Sequence, residues 1–217
     1  APPSRAAERV DERLVLLRDP SGEEAEQFRK VRANLLSARP TPRTILVTSG
    51  APAEGKSLFA ANLASAFAET GQGDVLLVDG NLRTPELPAL MAARTAPGLS
   101  EILLDRAHDP AGLVQSTDVE GLYFLPAGAL GAEAAQTLSP KALRAALERL
   151  PQRFRAVVID APCAVEFADV SLMAPDVDGV VLVVRVEGGR RTASRKAVQI
   201  LEGAQARVLG AVVWTGG

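Results

Sequence analysis

Three observations predict an α/β domain with a mostly parallel central sheet covered by helices on both faces. Strand-sized apolar runs alternate with helix-forming segments: Ile45-Leu46-Val47, Val75-Leu76-Leu77-Val78, Val157-Val158-Ile159 and Val180-Val181-Leu182-Val183-Val184. Runs that are apolar at every position suit strands buried on both faces. Between the first run and a helix former lies Gly50-Ala51-Pro52-Ala53-Glu54-Gly55-Lys56-Ser57, which fits G-x-x-x-x-G-K-[ST] at every fixed position. Finally, two runs end on aspartates, Asp79 and Asp160, at the sheet edge where such loops open.

The 217 residues suit one domain able to bury its own core. Residues 1–20 read as an amino-terminal arm or linker, with Leu14-Val15-Leu16-Leu17 as a patch that can dock. Residues 21–217 read as one P-loop nucleotide-binding domain. A helix is expected after Ser21, where Ser21-Gly22-Glu23-Glu24 forms a capping box. Phe28, Val31 and Leu35 give that helix its apolar stripe, and Glu26, Arg29 and Arg32 lie beside it. Taken alone, those three charges read as a solvated face with an i,i+3 ion pair.

After the P-loop helix, Gly71-Gln72-Gly73 ends the segment and a buried strand closes on Asp79. A loop through Pro85 follows. Pro97-Gly98-Leu99-Ser100 starts a short helix, Leu122 to Pro126 a strand, and an Ala/Gly-rich connection comes next. A helix capped near Ser139-Pro140 runs to about Leu150. The strand ending on Asp160, a helix from Phe167 to Met173, strand Gly179 to Arg185, helix Thr192 to Leu201 and strand Arg207 to Val213 complete the alternation.

A net charge of −2 argues against nucleic acid as the main partner. Cys163 is the only cysteine, which fits a reducing compartment. Without a signal-peptide core or a membrane-length apolar run, the chain reads as cytoplasmic.

The motif's chemistry is phosphate binding. Backbone N–H groups around Gly50, Ala53, Glu54, Gly55 and Leu58 and the new helix N-terminus suit phosphate oxygens. Lys56 is expected to reach the β- and γ-phosphates of ATP, and the Ser57 hydroxyl to ligate Mg²⁺. An ordinary Gly-rich turn is the plainer alternative, which the full spacing in a strand–loop–helix setting disfavours. Asp79 and Asp160 supply acidic oxygens to hold the metal and to accept a proton from, or orient, an attacking hydroxyl. For either aspartate alone, capping the following turn is the simpler reading.

With these pieces placed, the chain resembles the bacterial tyrosine kinases of capsule and exopolysaccharide export. Four stretches carry the likeness: Glu26-x-x-Arg29-x-x-Arg32 with Asn34; Ser49 to Ser57; Val75-Leu76-Leu77-Val78-Asp79-x-Asn81-x-Arg83, similar to the A-prime motif; and the Walker B strand Val157-Val158-Ile159-Asp160-Ala161-Pro162. Pro97-Gly98-Leu99-Ser100 and Leu125-Pro126-Ala127-Gly128 add weaker similarity. The resemblance implies catalytic roles for Lys56, Asp79 and Asp160. It implies a metal held by Ser57 and Asp160, with Asp79 as base or metal partner. It further implies self-association into a ring through Glu26, Arg29 and Arg32. A membrane-embedded co-polymerase, fused upstream or separate, would hold the chain at the inner face of the plasma membrane.

Three features depart from the family pattern. Asn81 stands where a second aspartate is usual. Trp214 stands where an asparagine usually helps read the base, so it either stacks on adenine or covers the sheet end. Tyr123, the only tyrosine, falls inside an apolar strand. These departures keep open a nucleotide-dependent assembly switch without kinase activity. A partition-type ATPase is more distant, because Ala51 occupies the place of that group's signature lysine. Cys163 reads as a small buried residue, His108 as a loop residue, and Arg190, Arg191, Arg195 and Lys196 as a solvated face or a contact for an acidic partner or lipid headgroup.

Overall fold

A computed structural model describes residues 11–129, 131–139, 141–186 and 191–214. Among them, seven strands form one sheet: β1 (Thr44–Ser49), β2 (Val75–Asp79), β3 (Gln115–Ser116), β4 (Leu122–Leu125), β5 (Ala156–Asp160), β6 (Gly179–Arg185) and β7 (Val208–Trp214). Their order is β3-β4-β2-β5-β1-β6-β7. Every pairing is parallel except that of β3 with β4. The helices are α1 (Val15–Arg18), α2 (Glu23–Ser37), α3 (Lys56–Ala68), α4 (Leu87–Leu90), α5 (Leu99–Leu103), α6 (Gly131–Thr137), α7 (Ala142–Glu148), α8 (Asp169–Met173) and α9 (Arg191–Gly203).

The all-apolar runs have the predicted cause. In β1, Ile45 and Val47 pack into one core with Phe59, Leu63 and Leu77. Leu46, between them, packs into a second core with Ile159, Leu182 and Leu201. Successive strand residues face opposite ways, so a strand covered on both faces must be apolar throughout. Each such side chain contributes roughly 1.5–3 kcal/mol through burial. α3 is buried along almost its whole length, lying between the sheet and α2.

The docking patch does dock. Leu14, Val15 and Leu16 are buried in the first core, and the fully buried Asn62 of α3 completes the join. Its Oδ1 accepts the Val15 N–H at 2.8 Å, while its Nδ2 donates to Arg13 O at 3.2 Å and Leu58 O at 3.0 Å.

Several local expectations need correction. Gly22, in an extended conformation, is the N-cap of α2, with no side-chain cap. The Ser21 capping box therefore does not form, because Ser21 falls one residue too early. Glu23, Glu24 and Glu26 instead place negative charge on the first turn. α7 starts at Ala142 with Lys141 as its N-cap, rather than near Ser139, and ends before Leu150. α6 occupies the Ala/Gly-rich connection, burying Ala134 and Ala135. Alanine favours helix but draws no large apolar stripe. The two-residue strand β3 is polar and left no apolar signal.

Candidate active site

The P-loop joins β1 to α3 at the carboxyl edge of the sheet. Gly55 is the N-cap of α3 with φ +81°, a left-handed conformation that favours glycine. Gly50 is buried against the first turn of α9. Ala53 is exposed and Leu58 half-buried. Glu54 is fully buried, with Oε2 accepting the Ala51 N–H at 2.9 Å. Its carboxylate thus braces the loop from within. Lys56 and Ser57 are buried at the start of α3.

β5 lies between β2 and β1, so both aspartates arrive beside this loop. Asp79 pairs with Asp160 across β2 and β5, and Asp160 pairs with Val47 across β5 and β1. Both carboxylates are fully buried. Asp79 Oδ2, both Asp160 oxygens and Ser57 Oγ have no hydrogen-bond partner among the described residues. Unpaired buried oxygens are costly. Four on one edge form a donor set that a bound cation would complete.

Burial pushes the Asp160 carboxyl up to about 6, opposed by the Lys56 charge and the nearby Ser57 hydroxyl. Asp79 is also pushed well above the usual carboxylate range. Burial is the main cause and the neighbouring Asp160 the second, against backbone N–H groups of Asn81 and Leu87 and the Lys56 charge. The donor set of two carboxylates and a hydroxyl suits a hard cation such as Mg²⁺, whose coordination phosphate and water oxygens would complete. Among the described residues no cluster of three His, Cys, Asp or Glu side chains exists to hold a metal without such help.

Asn81 does not face this cluster with its side chain. Its Nδ2 donates to Thr84 O at 2.7 Å, and its Oδ1 accepts from Thr84 N and Oγ1 at 3.3 Å each. Arg83 forks onto Asp169, with Nε and Nη2 donating at 2.9 and 3.0 Å. Sequence reasoning missed Asp169, which carries no signal of its own in the strand-ending pattern.

No family model matches the chain. Tyrosine-protein kinase YwqD of Bacillus subtilis is 28% identical over 207 residues, spanning 94% of this chain and 86% of that protein. The crystal structure of the chimerical protein CapA2B2 superposes with a TM-score of 0.84 at 29% identity, covering 94% of this chain and 90% of the other. These likenesses support a place in the bacterial tyrosine kinase family. The Lys56, Asp79 and Asp160 cluster falls in the stretch shared with both proteins. The succinoglycan biosynthesis transport protein ExoP of Rhizobium meliloti is 32% identical over 197 residues, which span 87% of this chain but 24% of ExoP. The septum site-determining protein MinD of Pyrococcus horikoshii, solved with Mg-ADP, superposes less closely, with a TM-score of 0.66 over 79% of this chain.

The remaining expected residues lie elsewhere. Glu26 is exposed, while Arg29 and Arg32 are half-buried and engaged inside the chain. Arg29 bonds Glu69 through Nε (2.9 Å) and Nη2, and Pro20 O through Nη2 at 2.7 Å. Arg32 Nη1 donates to Ala66 O. Trp214 ends β7, and its side chain lies outside the described residues, as does Arg190. Arg191, Arg195 and Lys196 are exposed on α9, Cys163 is buried and His108 is exposed.

Proposed function

We propose that this chain is the ATP-dependent protein-tyrosine kinase domain of a capsule or exopolysaccharide export system. The observation that carries the reading is the buried Asp79–Asp160 pair beside Lys56 and Ser57, in which Asp79 Oδ2 and both Asp160 oxygens lack a hydrogen-bond partner among the described residues. In this reading Lys56 binds the β- and γ-phosphates, with backbone N–H groups of the P-loop from Gly50 to Leu58 around them. Ser57 and Asp160 hold Mg²⁺, which when bound neutralises phosphate charge. Asp79 takes the proton of the attacking tyrosine hydroxyl, or shares the cation. The phosphoryl group passes from ATP to the tyrosine oxygen, and ADP leaves. A carboxyl raised by burial suits proton acceptance near neutral pH.

The acceptor is a tyrosine outside these 217 residues. Tyr123 pairs with Leu76 across β4 and β2. That is three residues short of Asp79, or about 10 Å along the strand. Its ring packs edge-on against Phe154, beneath the Arg153 guanidinium.

Self-association through Glu26, Arg29 and Arg32 and docking to a membrane-embedded co-polymerase complete the reading, with the chain at the inner face of the membrane. No helix among the described residues is long and apolar enough to cross a membrane. The test is incubation with labelled ATP, Mg²⁺ and a tyrosine-rich peptide, wild type beside Lys56→Met. Labelled peptide that disappears in the variant is the expected result. ADP release without label would replace the kinase with an ATPase that drives assembly.

A further inference from the structure

Arg83 and Asp169 join two segments that leave the catalytic edge separately. Arg83 lies in the turn after β2, just beyond Asp79, and Asp169 opens α8, beyond Asp160. The pair is bidentate, with Asp169 4% and Arg83 31% exposed. The guanidinium also lies 4.9 Å from the centre of the Phe167 ring. Both of its anchors therefore belong to the segment that follows Asp160, and a planar fork held along one edge and over one face has a defined orientation. The turn itself is stiff, since Asn81 closes it through three contacts to Thr84. At its root, Gly80 donates to Asp160 O at 2.8 Å, and a Cβ there would meet the same oxygen at 2.8 Å. A rigid turn joined to α8 at one end and to β5 at the other leaves the Asp79 carboxylate little freedom relative to Asp160.

We propose that the Arg83–Asp169 pair is a positioning clamp: it sets the Asp79 carboxylate against Asp160 so that both face one cation. Neither residue is catalytic, since each acts through the turn. The clamp rests on the kinase reading only in that the two aspartates hold the cation of a bound nucleotide.

The test uses the full chain with Arg83→Met, Asp169→Asn, the double variant and Arg83→Lys. Two readouts are taken: amide hydrogen exchange without metal, and the Mg²⁺ dependence of binding a fluorescent ADP analogue. Either single variant should speed exchange of residues 80–86 at least tenfold while β1 and β5 stay protected. Each should raise the Mg²⁺ concentration for half-maximal binding about tenfold, leaving metal-free binding unchanged. The double variant should be no worse than either single one, because a clamp is lost once. Arg83→Lys keeps the charge without the fork, should fall between, and carries the test if Asp169→Asn does not fold. Faster exchange with unaltered Mg²⁺ dependence would reduce the pair to a packing feature and overturn the clamp, as would additive effects in the double variant. Wild type that binds nucleotide with Mg²⁺ beside variants that match it overturns the clamp alone. Wild type that binds no nucleotide overturns the clamp and the kinase reading together.

Discussion

Asp79 and Asp160 are register partners on the last rung that joins β2 to β5, and neither is exposed. Two acids in that position favour their protonated forms in the folded chain. The Asp160 carboxyl moves from 3.8 to about 6, and Asp79 moves in the same direction. An acid raised on folding contributes stability fully below its unfolded value and loses it as pH rises through the folded one. The metal-free protein should therefore lose stability between about pH 4 and pH 7. At roughly 1.4 kcal/mol per pKa unit, Asp160 accounts for a loss on the order of 3 kcal/mol. Asp160→Asn should be more stable than wild type by about 1–3 kcal/mol at pH 7, with the gap closing near pH 4. Urea unfolding without Mg²⁺ at several pH values measures this. A gap that stays constant with pH would contradict it.

Asn81 is committed to Thr84, so restoring an aspartate at that position should harm the turn. A carboxylate cannot donate to Thr84 O, and it would add a third acid beside a pair already disfavoured by burial. Asn81→Asp is expected to destabilise the metal-free protein by about 1–3 kcal/mol. It should not raise the rate of phosphate transfer. A variant both more stable and faster would show that Asn81 marks a weakened site.

The sheet was legible because a two-sided strand must be apolar at every residue, as in β2 and β5. The P-loop and both aspartates were legible because their positions at strand ends follow from chain direction in a parallel sheet. What stayed hidden depends on distance in sequence. The likeness of Pro97-Gly98-Leu99-Ser100 and Leu125-Pro126-Ala127-Gly128 to the family drew attention to both stretches but not to their contact. In the fold, Leu99 N donates to Pro126 O and Ser100 N to Ala127 O, each at 2.8 Å, while Glu101 accepts from Gly98 N and Ala129 N. Nothing local announces such a brace. The Arg83–Asp169 pair was hidden for the same reason. The Arg29 and Arg32 engagement was hidden because a charged helix face looks alike whether its partner is water, another copy or Glu69.

Glu69 holds both arginines of α2 from the end of α3, and the Arg29 guanidinium in turn keeps its carboxyl below the usual range. Removing it tests whether those cations serve a second copy. The ion pairs lie at the surface and are only partly buried, so Glu69→Ala should cost on the order of 1 kcal/mol in unfolding. If Arg29 and Arg32 mediate self-association, the freed cations should shift sedimentation toward larger species at low salt, and Arg29→Ala should reverse the shift. Unchanged sedimentation in both variants would leave the arginines as struts that fix α2 on α3.

The buried amide of Asn62 ties the arm to the domain, and its loss should be felt there first. Leucine is close in size, but it removes the acceptor for Val15 N and the donor for Arg13 O, leaving both backbone groups unpaired beneath α1. Unsatisfied buried groups cost about 1–3 kcal/mol each, although the arm can escape part of this by detaching. Asn62→Leu should therefore unfold in two steps, with proteolysis of residues 11–20 preceding loss of the core and the P-loop still protected by nucleotide. An intact arm in a uniformly weakened protein would mean that Leu14, Val15 and Leu16 hold it by apolar burial alone.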